Sequence, residues 1–217
     1  MKITYWGHSC FAITSDRGLR VVLDPYSLPV AAGSFYYEPL KLSANLVTLS
    51  HHHWDHAGVK AIGGSPRVID EPGPFSFGEL TGLALPSEHD AQGGRERGPN
   101  LIFRLELDGL RLAHFGDFGQ AALRPEQERE LRNLDLLLLP VGGKYTIDGR
   151  TAAEIVQKLK PRCTIPMHYG TPVAEFLAPV ETFLQYFPGA ERADSPDLDP
   201  TTCSRGTVLV LPYAHLS

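Results

Sequence analysis

Apolar and β-branched residues recur in short runs along much of the chain, and each run ends at a turn former. "KITYW" (2–6), "CFAIT" (10–14), "LRVVLD" (19–24) and "NLVTLS" (45–50) come first. "RVID" (67–70), "NLIFRLEL" (100–107) and "LRLAHF" (110–115) follow, then "DLLLLPV" (135–141), "RCTIPMH" (162–168) and "GTVLVLP" (206–212). Runs of this length and composition predict strands. Asp108-Gly109 between two of them predicts a hairpin. Helical periodicity is confined to the second half. "PEQERELRNL" (125–134) and "TAAEIVQKLK" (151–160) read as amphipathic helices, the latter opened by Thr151 with Glu154 in capping-box register. "VAEFLAPVETFLQYF" (173–187) reads as a helix that Pro179 should kink or divide. Strand–helix–strand alternation around "DLLLLPV" and "CTIPMH" predicts parallel strands under a covering helix. The fold class is therefore α/β and layered, and two mixed sheets with helices outside fit the pattern.

No repeat, low-complexity tract or linker divides the 217 residues, a length suited to one domain with a large core. Two irregular stretches stand out as candidate functional loops. Residues 25–44 carry Tyr26, Phe35, Tyr36 and Tyr37 without periodicity, and residues 90–100, "DAQGGRERGPN", are rich in Gly and Arg.

Composition narrows the function classes. The chain is 42% hydrophobic and 21% charged, as ordinary globular proteins are. A net charge of −5 and a pI near 6.0 argue against a nucleic-acid surface. No apolar run of about 18 residues predicts a membrane span. "MKITYWGHSC" reaches Gly-His-Ser before any signal-peptide core can form. Cys10, Cys163 and Cys203 are odd in number and widely spaced, which reads as buried thiols in a reducing compartment. The expectation is a cytoplasmic soluble protein with a small-molecule partner, no nucleic acid and no membrane, with homo-oligomerisation left open.

The chemistry concentrates in "SHHHWDH" (50–56), which holds four of the chain's nine histidines. A strand running into this segment would present His51 and His53 from a rigid element, with Asp55 and His56 at the turn. Alternation points His52 away. Further donors fall at other strand ends: His89 after "LALPSE", Asp117 after "RLAHFG" and His168 after "CTIPM". Strand ends along one sheet edge can bring such residues together. Five imidazoles and two carboxylates suit borderline divalent metals, zinc first, with manganese and iron as alternatives. Seven donors exceed what one catalytic zinc takes from protein, so two divalent ions per chain are the economical count.

His-x-His-x-Asp-His after an apolar strand, followed by His89, Gly116-Asp117 and His168, resembles the metallo-β-lactamase superfamily. "YWGHSCFAI" (5–13), "LDPY" (23–26), "SEHDAQGGRERGPN" (87–100), "HFGDFG" (114–119), "LLPVGGKYTID" (138–148) and "IPMHYGT" (165–171) resemble its bacterial UlaG-like branch of metal-dependent hydrolases. The resemblance implies a four-layer αβ/βα sandwich with a dinuclear site at one edge. It implies that His51, His53 and His89 hold one metal, that Asp55, His56 and His168 hold the other, and that Asp117 bridges. Asp117 stands where antibiotic-cleaving lactamases commonly use Cys, which argues against β-lactam hydrolysis. His53 stands where di-iron oxidoreductase relatives generally carry Glu, which favours hydrolysis.

Two ions roughly 3.5–4 Å apart can share a water and generate hydroxide at neutral pH, with Asp55 aiming it as the catalytic carboxylate. Asp24 would orient a ligand imidazole from behind. Gly142-Gly143 would let backbone approach the metals. Tyr145 would sit near the rim, and Arg97 would receive a phosphate or carboxylate. His8 and His114 are given no ligand role. The function so predicted is a dinuclear hydrolase of a small anionic ester, a lactone or a phosphodiester. The alternatives are an RNA-processing nuclease, disfavoured by the acidic balance, and a non-catalytic metal-binding sensor.

Overall fold

The computed structural model describes residues 1–27 and 37–214; Phe35 and Tyr36 of the first candidate loop lie outside the described residues. Two mixed sheets dominate. The first has six strands in the order Asp197–Leu198, Lys2–Gly7, Cys10–Thr14, Arg20–Leu23, Leu46–Thr48, Arg67–Ile69, the last three mutually parallel. The second has eight, in the order Glu191–Arg192, Thr207–Val210, Cys163–Met167, Leu136–Pro140, Leu110–His114, Pro99–Leu107, Leu80–Glu88, Gly73–Phe77. Its first five strands run parallel and the rest antiparallel.

The apolar run at 136–139 shows how the layers are built. Leu136 and Leu138 point into the space between the sheets with Phe11, Phe103 and Ile165. Leu137 and Leu139 point outward onto Ala152, Ile155 and Val156 of the helix Gly149–Leu159. A strand buried on both faces needs a continuous run rather than alternation, and truncating any of these leucines to Ala would cost about 2–5 kcal/mol. The outer face of the first sheet is covered differently. Among the described residues it packs against Tyr26, Tyr37, Leu40 and the 3-10 turn Val59–Ala61. The layered α/β sandwich is thus as expected, with few helices.

The predicted hairpin forms: Asp108 and Gly109 take φ of 51° and 75° between antiparallel strands, as a type I′ turn requires. The parallel pair 136–140 and 163–167 also forms, with the helix Gly149–Leu159 between them in sequence. Two local expectations are corrected and one strand was not anticipated. Asp148, not Thr151, caps that helix, its carboxylate accepting from Thr151 N at 2.8 Å, while Glu154 pairs with Arg150. The 173–187 helix shrinks to Glu181–Leu184. Gly170 N bonds Ala178 O and Ala178 N bonds Gly142 O, so this backbone is spent on neighbouring segments before Pro179. The strand Gly73–Phe77 was hidden by its Gly-Pro-rich surroundings. Among the described residues, no helix is long and apolar enough to cross a membrane.

Candidate metal centre

Residues from both sheets meet at one edge, each just past a strand end. His8 follows Lys2–Gly7, Asp24 follows Arg20–Leu23, and the His51–His56 segment follows Leu46–Thr48. From the second sheet come His89 after Leu80–Glu88, Asp117 after Leu110–His114, and His168 after Cys163–Met167. Backbone bonds lock the two groups together: His168 N donates to His8 O at 2.8 Å and Leu101 N to Ser50 O at 2.8 Å. Close approach also demands glycine. Gly116 has φ 54°, and a Cβ there would lie 2.2 Å from Ser50 Cβ. One on Gly142 would lie 2.1 Å from His168 O, so this glycine serves close packing against the backbone of the His168 segment.

Two clusters of donors result. His51, His53 and His89 form one, and Asp55, His56, His168 and His8 the other, while Asp24 groups with His51 and His56 behind them. Asp117 lies between them. Its Oδ2 is 3.2 Å from His89 Nε2 and 3.3 Å from His168 Nε2, and its Oδ1 is 3.1 Å from His56 Nε2. All seven sequence-predicted metal donors are therefore brought together. His52 is exposed and faces Asp70 at 3.5 Å.

Asp24, fully buried, organises the imidazoles from behind. Its Oδ1 accepts from Ser50 N at 2.7 Å, and its Oδ2 lies 2.9 Å from His56 Nδ1 and accepts the Ser50 hydroxyl. An ionised carboxylate only accepts, so the His56 ring donates from Nδ1 to Asp24, and its Nε2 faces Asp117 as the atom a metal would take once its proton is displaced. Ser50 spends its one hydroxyl proton on Asp24, so it accepts from His51 Nδ1 at 3.0 Å, and His51 Nε2 is left as a free lone pair. His51 Nε2, His56 Nε2 and Asp117 Oδ1 are buried and make no hydrogen bond. Each such orphan costs about 1–3 kcal/mol. Convergent nitrogen and carboxylate oxygen donors fit a divalent cation, which would displace the His56 Nε2 proton and satisfy them all at once.

In the metal-free protein the protonation states follow from burial and the charges each group faces. Burial first, then the neighbouring His56, pushes His51 down to about 3, so it is neutral at pH 7. Burial resists ionisation of Asp117, yet His168 and His56 hold its carboxyl well below the usual range. Burial likewise opposes a charge on His56, but Asp117 and Asp55 outweigh it and raise its pKa in the metal-free protein.

Sequence reasoning missed two residues. His8 Nε2 lies 3.1 Å from Asp55 Oδ2, and its ring centroid lies 4.2 Å from that of His168 with the planes tilted by 40°. Burial resists ionisation of Asp55, but His56 and His8 pull its pKa below the usual range. An ionised Asp55 can only accept, so His8 is the donor. Asn100 is buried with Oδ1 accepting from Asp117 N at 3.0 Å and Nδ2 donating to Phe115 O and Ser87 Oγ. A buried amide opening an apolar strand was its only signal. His114 is a satisfied core histidine: Gly116 N donates to its Nδ1, so Nε2 donates to Ser9 O at 2.9 Å.

Arg97 and Tyr145 come together, the guanidinium carbon 4.1 Å from the ring centroid. Arg97 also lines a cleft of about 470 Å³ with His51, His53, Asp70, Pro86 and Leu101. The 90–97 loop is wound on Asp90, whose carboxylate accepts from the backbone of Gln92, Gly94, Glu96 and Arg97.

Residues 2–168 match the family model described as the β-lactamase superfamily domain. The chain belongs to the metallo-β-lactamase superfamily. It is 31% identical over 202 residues to a UPF0173 metal-dependent hydrolase of Thermococcus onnurineus, covering 79% of this chain and 85% of that one. A Pelotomaculum thermopropionicum protein of the same description is 32% identical over 199 residues, covering 79% and 85%. A crystal structure from Thermotoga maritima, described as a candidate zinc-dependent hydrolase of the superfamily, superposes with a TM-score of 0.79 at 33% identity over 97% of each chain. Membership places the chain among metal-dependent hydrolases, with candidate metal donors in position.

Proposed function

We propose that the protein is a dinuclear metal-dependent hydrolase of small anionic esters, lactones or phosphodiesters. The observation that carries this reading is Asp117, whose two carboxylate oxygens face imidazoles of both donor clusters. His51, His53 and His89 would hold one divalent ion, Asp55, His56 and His168 the other, and Asp117 both. Zinc suits the imidazole-rich set, and manganese or iron suits the carboxylates. When bound, two such ions supply a water activated at neutral pH and an electrophile for the scissile carbonyl or phosphoryl oxygen.

The chain's own residues do the rest. Asp24 and Ser50 fix the tautomers of His56 and His51. His8 donates to Asp55 and holds that carboxylate in one orientation, where it can accept a proton from an attacking water. Arg97, steadied on the Tyr145 ring, offers N–H donors to a phosphate or carboxylate at the cleft mouth. A cleft of about 470 Å³ suits a small substrate.

The test is elemental analysis of protein purified without chelator, followed by a screen of lactones and phosphodiesters. About two ions per chain and turnover of an anionic ester are expected. Turnover by metal-free protein would sink the reading, and full metallation with no turnover across the panel would support a binding or sensing role instead.

A further inference from the structure

Cys163 and Cys203 are 40 residues apart in sequence, yet their sulfurs lie 2.8 Å from each other. Cys163 opens the strand Cys163–Met167 and is fully buried; Cys203 follows the 3-10 turn Pro200–Thr202 and is half-buried. Regular backbone enforces the approach. Cys163 pairs with Thr207 in the parallel ladder, and Gly206 N and Thr207 N both donate to Arg162 O, at 2.8 and 3.2 Å. The Arg162 guanidinium reaches back to Pro200 O at 3.1 Å, so the turn carrying Cys203 is tied to the strand carrying Cys163. The sulfurs need to close by less than about 1 Å to reach a bond of about 2.05 Å. Cys10 sits apart, in the apolar cluster outside the first sheet.

We infer that Cys163 and Cys203 form an oxidisable dithiol site, converted to an intramolecular disulfide by a small disulfide of the glutathione type. Cys203 is the entry point because it is the more accessible. The thiol hydrogen bond from Cys163, and then the Arg162 guanidinium, draw its pKa below the ordinary value, which favours the thiolate. The Cys203 thiolate attacks the small disulfide, forms a mixed disulfide and expels one small thiolate. The Cys163 sulfur, losing its proton, then attacks Cys203 and expels the second. The protein loses two hydrogens and the reagent becomes two thiols, so no further oxidant is needed. The bond closes the chain between the C-terminal segment and the strand whose far end delivers His168. Oxidation should therefore leave the metal donors in place while restraining the unfolded chain. This inference does not depend on the substrate or metal count proposed above.

The experiment uses the full chain with its metals, incubated with oxidised glutathione. Alkylatable thiols should fall from three to one, the intact mass should drop by about 2 Da as two hydrogens leave, and peptide mapping should join Cys163 to Cys203. Dithiothreitol should reverse all three changes, and the oxidised form should melt at higher temperature. Cys163→Ser should halt at a stable glutathione adduct on Cys203, and Cys203→Ser should leave Cys163 unmodified. Three thiols remaining in the wild type, a stable adduct there, or a bridge to Cys10 would overturn the proposal, and none of these readings requires a variant to fold.

Discussion

Asp24→Asn isolates the role of the buried carboxylate, because it preserves shape and tolerates the left-handed backbone at φ 43°. With the amide oxygen kept on Ser50 N, the amide NH2 faces His56 Nδ1 and the Ser50 hydroxyl. A donor then meets donors. His56 escapes by giving up its Nδ1 proton and keeping the one on Nε2, the atom that faces Asp117. A metal must then displace that proton and leave a buried N–H unpaired behind the ring, at about 1–3 kcal/mol. At about 1.4 kcal/mol per decade, binding weakens by about tenfold to a hundredfold, the range found when partners behind metal-bound histidines are removed. His51 suffers less, since Asp24 reaches it only through Ser50.

The assay is competition with a chromophoric chelator, titrating each equivalent of metal, with circular dichroism to confirm the fold. Asp24→Gly is the informative companion. It also accepts the positive φ and removes the opposing donor, so water can take the His56 Nδ1 proton. It should be less stable than Asp24→Asn yet bind metal more tightly. If Asn binds like wild type, or if Gly binds worse than Asn, the tautomer argument is wrong.

Other variants probe other parts of the site. Asp117→Ala should lower bound metal by at least one equivalent and abolish activity while the far-ultraviolet spectrum stays native; unchanged stoichiometry would show that Asp117 is no ligand. His8→Ala should weaken one equivalent by about tenfold or more, whereas His8→Gln, which retains a donor of similar reach, should recover most of the loss; equal behaviour of the two would remove the Asp55 contact from the mechanism. Arg97→Ala should raise KM for anionic esters and spare uncharged ones, and an unaltered ratio between them would mark Arg97 as a loop charge. The metal-free protein holds His56 protonated above the ordinary imidazole range. A raised folded pKa favours the protonated form, so metal loading near pH 7 should expel a proton and tighten as pH rises. Calorimetry in buffers of different ionisation enthalpy measures the release, and a buffer-independent heat would refute it.

The donors were readable in sequence because each is a strongly typed side chain placed directly after an apolar run. A strand end is a rigid launching point, and His51, His89, Asp117 and His168 all occupy one. What sequence could not supply was pairing across long separations. His8 meets Asp55 only because Lys2–Gly7 lies in the same sheet as Leu46–Thr48. Cys163 meets Cys203 only because residue 207 pairs with residue 163. Local chemistry misled in the opposite direction at 173–187, where an apolar helical period was overridden once the backbone of Gly170 and Ala178 found partners elsewhere. At 73–77 glycine and proline masked a strand, yet Phe75 and Phe77 pack on the core and hold an edge position, where proline is tolerated.

The site is also energetically separable from the core that carries it. The apolar layers between and outside the sheets are complete without any donor residue. The donor cluster, by contrast, gathers buried imidazoles and carboxylates with several lone pairs unpaired. Such a cluster opposes folding in the metal-free state and is tolerated because the surrounding layers bury enough apolar surface to outweigh it. Metal binding then removes the orphan cost and adds its own free energy to the folded state alone. Removing a donor therefore deletes a penalty as well as a ligand. Because His56 can shed the proton that Asp117 holds on it, metal-free Asp117→Ala should lose no more stability relative to metal-free wild type than about the 1–3 kcal/mol of one buried hydrogen-bonding group, although its metal-loaded form loses most of the stabilisation that metal confers. A metal-free variant that fails to fold would mean that Asp117 is tied to the strand carrying Asn100 through more than the bond from its backbone N–H to Asn100 Oδ1 at 3.0 Å.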